Sequence, residues 1–183
     1  FTTSDPAPLP PGQGPGGPIL VINSASNPFS TYSAEILRAE GLNEFAVSDI
    51  SLITPTLLST YDVVILGEVV VTPAQATTLS NWVLDGGTLI AFKPSVELSS
   101  LLGITKQPGS QSEGYILVNT TADTPGEGIV GETMQYHGSA DLYTMEPGTA
   151  SIATLYSDAT TATSYPAVTW RRVGMMDGKA IAF

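Results

Sequence analysis

General acid–base chemistry in this chain of 183 residues has one histidine to draw on, His137 in the run MQYHGSADLY, and no cysteine at all. A Ser–His–Asp mechanism must therefore use His137. Asp141, four residues on, is spaced to orient its ring, and Ser24, Ser26 or Ser95 would be the nucleophile. No G-x-S-x-G turn is present to expose such a serine. A lone histidine beside Gly and Asp equally fits a structural turn. Glu68 follows the apolar run VVILG, a position that places a carboxylate at the end of a strand. Capping of the next helix, or plain solvation, is the competing reading. Lys93 stands at the equivalent point after TLIAF. Glycosidic chemistry would need two carboxyl groups about 5–9.5 Å apart, and Glu68 with Glu97 or with Asp141 are the pairs on offer. One His with Glu132, Asp141 and Glu146 has no metal-ligand spacing. An oxygen-liganded calcium site stays open, but no metal and no cofactor are expected.

These groups need elements to hold them. Residues 19–23, ILVIN, form a short continuous apolar run suited to a strand buried on both faces. FSTYSAEILRAEG follows with helical spacing at Phe29, Tyr32, Ile36 and Leu37, and Gly41 as its stop. EFAVSD (44–49) predicts a second strand, and a short helix begins near Pro55. DVVILGE (62–68) predicts a third strand. TPAQATTLSNWVLDGG predicts a helix with Thr72 as cap, Pro73 at its first position, and Leu79, Trp82 and Val83 on the inner face. TLIAF (88–92) is a fourth strand, and SVELSSLLG a helix after it. Strands alternating with helices imply right-handed crossovers. The fold class expected is α/β: three layers around a mostly parallel, doubly wound sheet of flavodoxin-like or amidotransferase-like type. After Gly103 the helical period fades into short strand-like runs, so residues 104–183 form a β-rich second half to the alternating half at 19–103.

In an open parallel sheet, ligands bind beyond the carboxyl ends of the strands. Those ends supply Asn23, Ser24, Ser26 and Asn27, then Glu68, then Lys93 and Ser95. The loop NSASNPF has no phosphate-cradle pattern. Its polar groups and helix start suit either a small anion or hydroxyl ligand, or helix capping alone. Trp82 belongs to the core by its position. Trp170, near Tyr143 or Tyr165, would suit sugar stacking if exposed.

Six Lys and Arg against 17 Asp and Glu give a net charge of −11. A nucleic-acid binder needs a basic surface, and Arg171-Arg172 is the longest basic run, so nucleic acid is excluded as a partner. No apolar run approaches the roughly 18 residues of a membrane span. The scarcity of Lys and wealth of Ser and Thr suit a secreted or cell-surface protein, and Asn119-Thr120-Thr121 matches a glycosylation sequon. Residues 1–18, FTTSDPAPLPPGQGPGGP, have too little apolar surface to order by burial and read as a linker or arm. Starting at Phe1 without a signal-peptide pattern, the chain reads as an excised piece of something longer.

The run YDVVILGEVVVTPAQATTLSNWVLDGGTLIAF resembles the class I glutamine amidotransferase-like superfamily, particularly its ThuA-like and noncatalytic branches. The shared features are the YD-apolar strand, a helix ending in W-V-x-x-GG, and the following x-L-I-A. The opening ILVINSASNPFSTYSAEILRAEGL resembles the first strand–helix unit of such domains in secreted multidomain bacterial proteins. MQYHGSADLYT and ATLYSDATTATSYPAVT resemble their later part. Glutamine-hydrolysing relatives carry a cysteine at the turn after a central strand and a His-x-Glu pair further on. Here that turn is Lys93-Pro94-Ser95, and His137 is followed by Gly138-Ser139, so the resemblance implies the fold without the glutaminase. The expectation is a non-enzymatic accessory, binding or structural module. Its partners would be neighbouring domains, extracellular glycan, or other copies reached through the arm (1–18) or the terminal strand (179–183). The alternative is a hydrolase, carbohydrate-active by preference, with a site around Glu68, Lys93 and His137.

Overall fold

The computed structural model describes residues 16–183, so most of the expected arm lies outside the described residues. Eleven strands are found among them: β1 (Ile19–Asn23), β2 (Phe45–Asp49), β3 (Val63–Leu66), β4 (Thr88–Ala91), β5 (Ile104–Ser112), β6 (Tyr115–Val118), β7 (Met134–Gln135), β8 (Ser139–Met145), β9 (Ala150–Tyr156), β10 (Ala162–Val173) and β11 (Gly178–Ala182). The α-helices are α1 (Tyr32–Ala39), α2 (Pro55–Leu58), α3 (Pro73–Leu84) and α4 (Ser99–Leu102). Nine strands form one mixed sheet in the order β2-β1-β3-β4-β11-β10-β9-β6-β7, and β5 pairs with β8 separately. The β2-to-β11 part is parallel. From β10 onward the pairing is antiparallel, as the short turns joining β9 to β10 and β10 to β11 require.

Helix α3 shows why the local sequence folds as it does. The Thr72 hydroxyl accepts from the Gln75 backbone N–H, while the Gln75 side chain accepts from the Thr72 N–H, a reciprocal capping box. Pro73 occupies the first turn, where no intrahelical N–H is lost. The helix buries Ala76, Leu79, Trp82 and Val83 against Leu20, Ile22, Val64, Leu66, Leu89, Ala91, Ala180 and Ala182 of the sheet, with Leu101 and Leu102 of α4 beside them. The opposite face has a smaller cluster, in which Ala34 of α1 meets Val21 and Phe45. Strand β1 has three consecutive buried residues, as a strand covered on both sides should. In β3, β4 and β11 burial alternates, because only one face lies under α3 and α4.

The terminal run does not offer a free edge. Strand β11 lies between β4 and β10, hydrogen-bonded on both sides, so its ladder groups are already used. Pairing of residues 179–183 with another copy is therefore corrected. Among the described residues no helix is long and apolar enough to cross a membrane.

Candidate functional site

The loop after β1 is tied down by its own short side chains. Asn27 caps a 3-10 turn (Pro28–Thr31), its carboxamide oxygen accepting from the Phe29 N–H at 3.1 Å. Its Nδ2 donates to the Glu68 carbonyl oxygen at 2.8 Å, joining the loops after β1 and β3. Ser30, 1% exposed, donates to the Asn27 carbonyl at 2.6 Å and accepts from the Ser24 N–H at 2.9 Å. The hydroxyls of Ser24 and Ser26 lie 2.8 Å apart. Gly67 is buried against Ser30: a Cβ there would sit 2.6 Å from the Ser30 carbonyl oxygen. The polar groups of this loop thus serve capping and inter-loop bonds, and Asn23 joins the carboxyl edge without a side-chain hydrogen bond among the described residues.

At the end of β4 the chain turns at Lys93 with φ +40°, a left-handed conformation that costs a non-glycine residue about 1–3 kcal/mol. The Lys93 N–H donates to the Phe183 carbonyl at 2.9 Å, and the Phe183 N–H to Ala91 at 2.9 Å, so β4 and β11 fix the turn together. The rings of Phe92 and Phe183 stack at 4.8 Å. Lys93 Nζ lies 3.6 Å from Glu68 Oε1, with the two side chains 40% and 48% exposed. An ion pair that open to solvent is worth about 0–1 kcal/mol. Ser95 hydrogen-bonds the Glu97 carboxylate, which holds Glu97 below the usual carboxylate range.

The second half closes the crevice. Lys93, His137, Asp141, Tyr143, Phe92 and Phe183 all contribute to one cavity of about 290 Å³. Tyr143 is 6% exposed and donates to Asp141 Oδ2 at 3.2 Å. Burial pushes its phenol well above the ordinary tyrosine value, and the Asp141 and Glu68 charges add to this. Asp141 also receives Lys106 Nζ at 2.7 Å. His137 Nδ1 lies 2.8 Å from Glu113 Oε2. The Gly138 N–H donates to the other Glu113 oxygen at 2.6 Å. Glu113 is accordingly held below the usual carboxylate range, first by that backbone N–H and then by His137.

The four residues singled out for catalysis do meet at this crevice: Lys93, His137 and Asp141 line the cavity, and Glu68 is bonded to Lys93. Their pairing differs from expectation. Asp141 does not orient His137; Glu113 does, from the β5–β6 turn. No hydrogen bond joins the Lys93–Glu68, Asp141–Lys106 and His137–Glu113 pairs to one another. Glu68 does not cap α3, a role taken by Thr72. Ser95 bonds Glu97 and not the histidine. Tyr143 is buried and makes no surface platform with Trp170, which is half-buried on β10. Asn119 is exposed just beyond β6, its side-chain oxygen accepting from the Thr121 N–H. Among the described residues, no three His, Asp or Glu side chains come together in a metal-binding group. Glu113 and Lys106 were not singled out from sequence, and Tyr143 only as a stacking partner for Trp170. Only the strand alternation of DLYTM, which puts Asp141 and Tyr143 on one face, hinted at any of them.

No known family's sequence profile matches the chain, and no curated protein matches it in sequence. Solved structures do match. Gan42B, a GH42 beta-galactosidase from G. stearothermophilus, superposes with a TM-score of 0.67 at 13% identity, over 92% of this chain and 27% of that chain. The N-terminal domain of mmIFT52 gives 0.66 at 13% identity, over 90% and 84%. A glutamine amidotransferase from Methylobacillus flagellatus gives 0.58 at 13% identity, over 84% and 64%. The chain thus has an amidotransferase-like α/β fold, and it spans about a quarter of the galactosidase.

Proposed function

We propose that this chain is a non-enzymatic accessory module of a secreted or cell-surface multidomain protein, binding extracellular glycan or neighbouring domains. The observation that carries the reading is the state of the crevice. The turn after β4 presents Lys93 where a nucleophile would stand, and each ionisable group around it is engaged by its own partner. Nucleophilic catalysis needs a base bonded to a nucleophile, and none of these pairs supplies one. Presence of the same fold as about a quarter of a beta-galactosidase chain supports a role as one module among several. With β11 interior, contact with other copies would run through the arm of residues 1–18. Light scattering with and without residues 1–15 checks this: an unchanged mass removes the arm from consideration.

The second reading, a hydrolase, is favoured by one observation: Lys93, in its strained backbone, shares a cavity with His137 and Asp141. The test is turnover of a panel of aryl glycosides and of glutamine by the intact chain. No turnover above buffer is expected. Hydrolysis that both Lys93→Ala and His137→Ala abolish would overturn the accessory reading.

A further inference from the structure

A second cavity, of about 710 Å³, lies away from the crevice, at the amino ends of β3 and β4. It falls within the roughly 300–1,000 Å³ typical of small-molecule sites. Tyr61 and Asp62 reach it from the segment before β3, Asn81, Trp82 and Asp85 from the last turn and cap of α3, and Thr88 from the start of β4. The frame is rigid: the Thr88 N–H donates to the Asp62 carbonyl at 3.0 Å, and the Gly87 N–H to the Trp82 carbonyl at 3.1 Å. The indole lies so close to Gly87 that a Cβ there would be 2.4 Å from its Cε2.

What sets this cavity apart is that its polar groups are uncommitted. Trp82 is 8% exposed, and its indole N–H, with no acceptor among the described residues, is open to solvent at the cavity wall. The side chains of Asp62, Asn81 and Asp85 likewise have no partner among the described residues, nor has the Thr88 hydroxyl. The crevice differs in this respect, because there the charges are paired.

We infer that this basal cavity is a saccharide-binding site. The wall offers both donors and acceptors: the indole N–H and the Asn81 amide donate, the two carboxylates accept, and the Thr88 hydroxyl does either. An alkyl amine would satisfy the carboxylates but offer the indole N–H no acceptor. Sugar hydroxyls do both jobs on one ring, and the half-buried Tyr61 supplies an aromatic surface for its C–H face. The inference rests on the binding-module reading and locates its glycan away from the crevice.

The test is Trp82 fluorescence in the full chain carrying Trp170→Phe, which leaves one of the two indoles. Cellotriose, mannotriose, xylotriose and spermidine are titrated to about 10 mM, above the roughly millimolar Kd of a −4 kcal/mol interaction. At least one trisaccharide should shift the emission saturably. Asn81→Ala and Asp85→Asn, both at exposed positions, should each weaken it tenfold or more, with Lys93→Ala unchanged. No response to any trisaccharide, a response to spermidine alone, or sugar binding that both cavity variants leave intact overturns the inference. If binding survives those variants but falls with Lys93→Ala, the glycan sits in the crevice and the binding-module reading stands. If no sugar binds and turnover is found, both fall.

Discussion

Substitution of Gly67 by alanine probes whether the carboxyl edge of the sheet is a rigid frame. Gly67 does not have a left-handed backbone, so the cost is steric and not conformational. The new Cβ would lie 2.6 Å from the Ser30 carbonyl oxygen and 2.9 Å from Ser30 Cα and Cβ. Comfortable carbon contacts begin at about 3.5 Å, so the 3-10 turn must retreat by roughly 0.6–1 Å. Ser30 is fully buried and held by bonds to Asn27 and Ser24, and the retreat also stretches Asn27 Nδ2 from the Glu68 carbonyl. Overpacking of this kind costs about 1–3 kcal/mol, and a weakened hydrogen bond adds about 1 kcal/mol. A loss of about 2–4 kcal/mol lowers Tm by roughly 4–16 °C in a chain of this size. Gly41→Ala is the control. Its φ is +80° with no atom within 4 Å of the added Cβ, so its cost is the left-handed backbone alone, about 1–2 kcal/mol. Urea unfolding of both variants supplies the comparison. A Gly67→Ala protein within about 0.5 kcal/mol of wild type, the scale of an ordinary surface change, would refute the argument.

The acid limit of the His137 clasp follows from Glu113, whose folded pKa is depressed. Its contribution is present above the ordinary value of 4.5 and disappears as pH falls through the lower folded value. Thermal scans against pH should therefore show Glu113→Gln less stable than wild type at neutral pH, with the gap closing under acid. Thr72→Ala removes one half of the α3 capping box and should cost about 0.5–2 kcal/mol in urea unfolding. Leu89→Ala, at a fully buried position on β4, should cost about 2–5 kcal/mol by the same assay. Expression through a eukaryotic secretory pathway should add glycan mass at exposed Asn119 that Asn119→Gln removes; equal masses would refute modification there.

Local signals made the first half legible. Pro73, Thr72 and the apolar spacing of Leu79, Trp82 and Val83 specify α3 within its own twelve residues, and the apolar runs of β1, β3 and β4 need no distant partner to be recognised. Strand β5 was not legible. Its sequence ITKQPGSQS carries Pro-Gly in mid-strand, normally a turn signal. The register shift between Gln107 and Ser110 accommodates the pair while β8 supplies the remaining ladder. Phe29, Tyr32 and Ile36 have helical spacing but are exposed; Ala34 and Leu37 make the contact with the sheet instead. Likewise the crevice was foreseen at the strand ends, whereas its pairings were not. Glu113 and His137 lie 24 residues apart, and Lys106 and Asp141 35 apart, with no local pattern to connect them.

The sequence by itself determined the chemistry that cannot occur and the elements that must form. The absence of cysteine removes thiolate catalysis whatever the fold, and periodicity within a dozen residues is enough to separate helix from strand. Tertiary structure alone decided where the last strand goes and which charges meet. Hydrophobic burial is nondirectional, so an apolar run such as KAIAF records only that it must be covered. Its place between β4 and β10 depends on hydrogen-bond partners about ninety and ten residues away. The same folding brings His137 to Glu113, Asp141 to Lys106, and Trp82 to the wall of a second cavity.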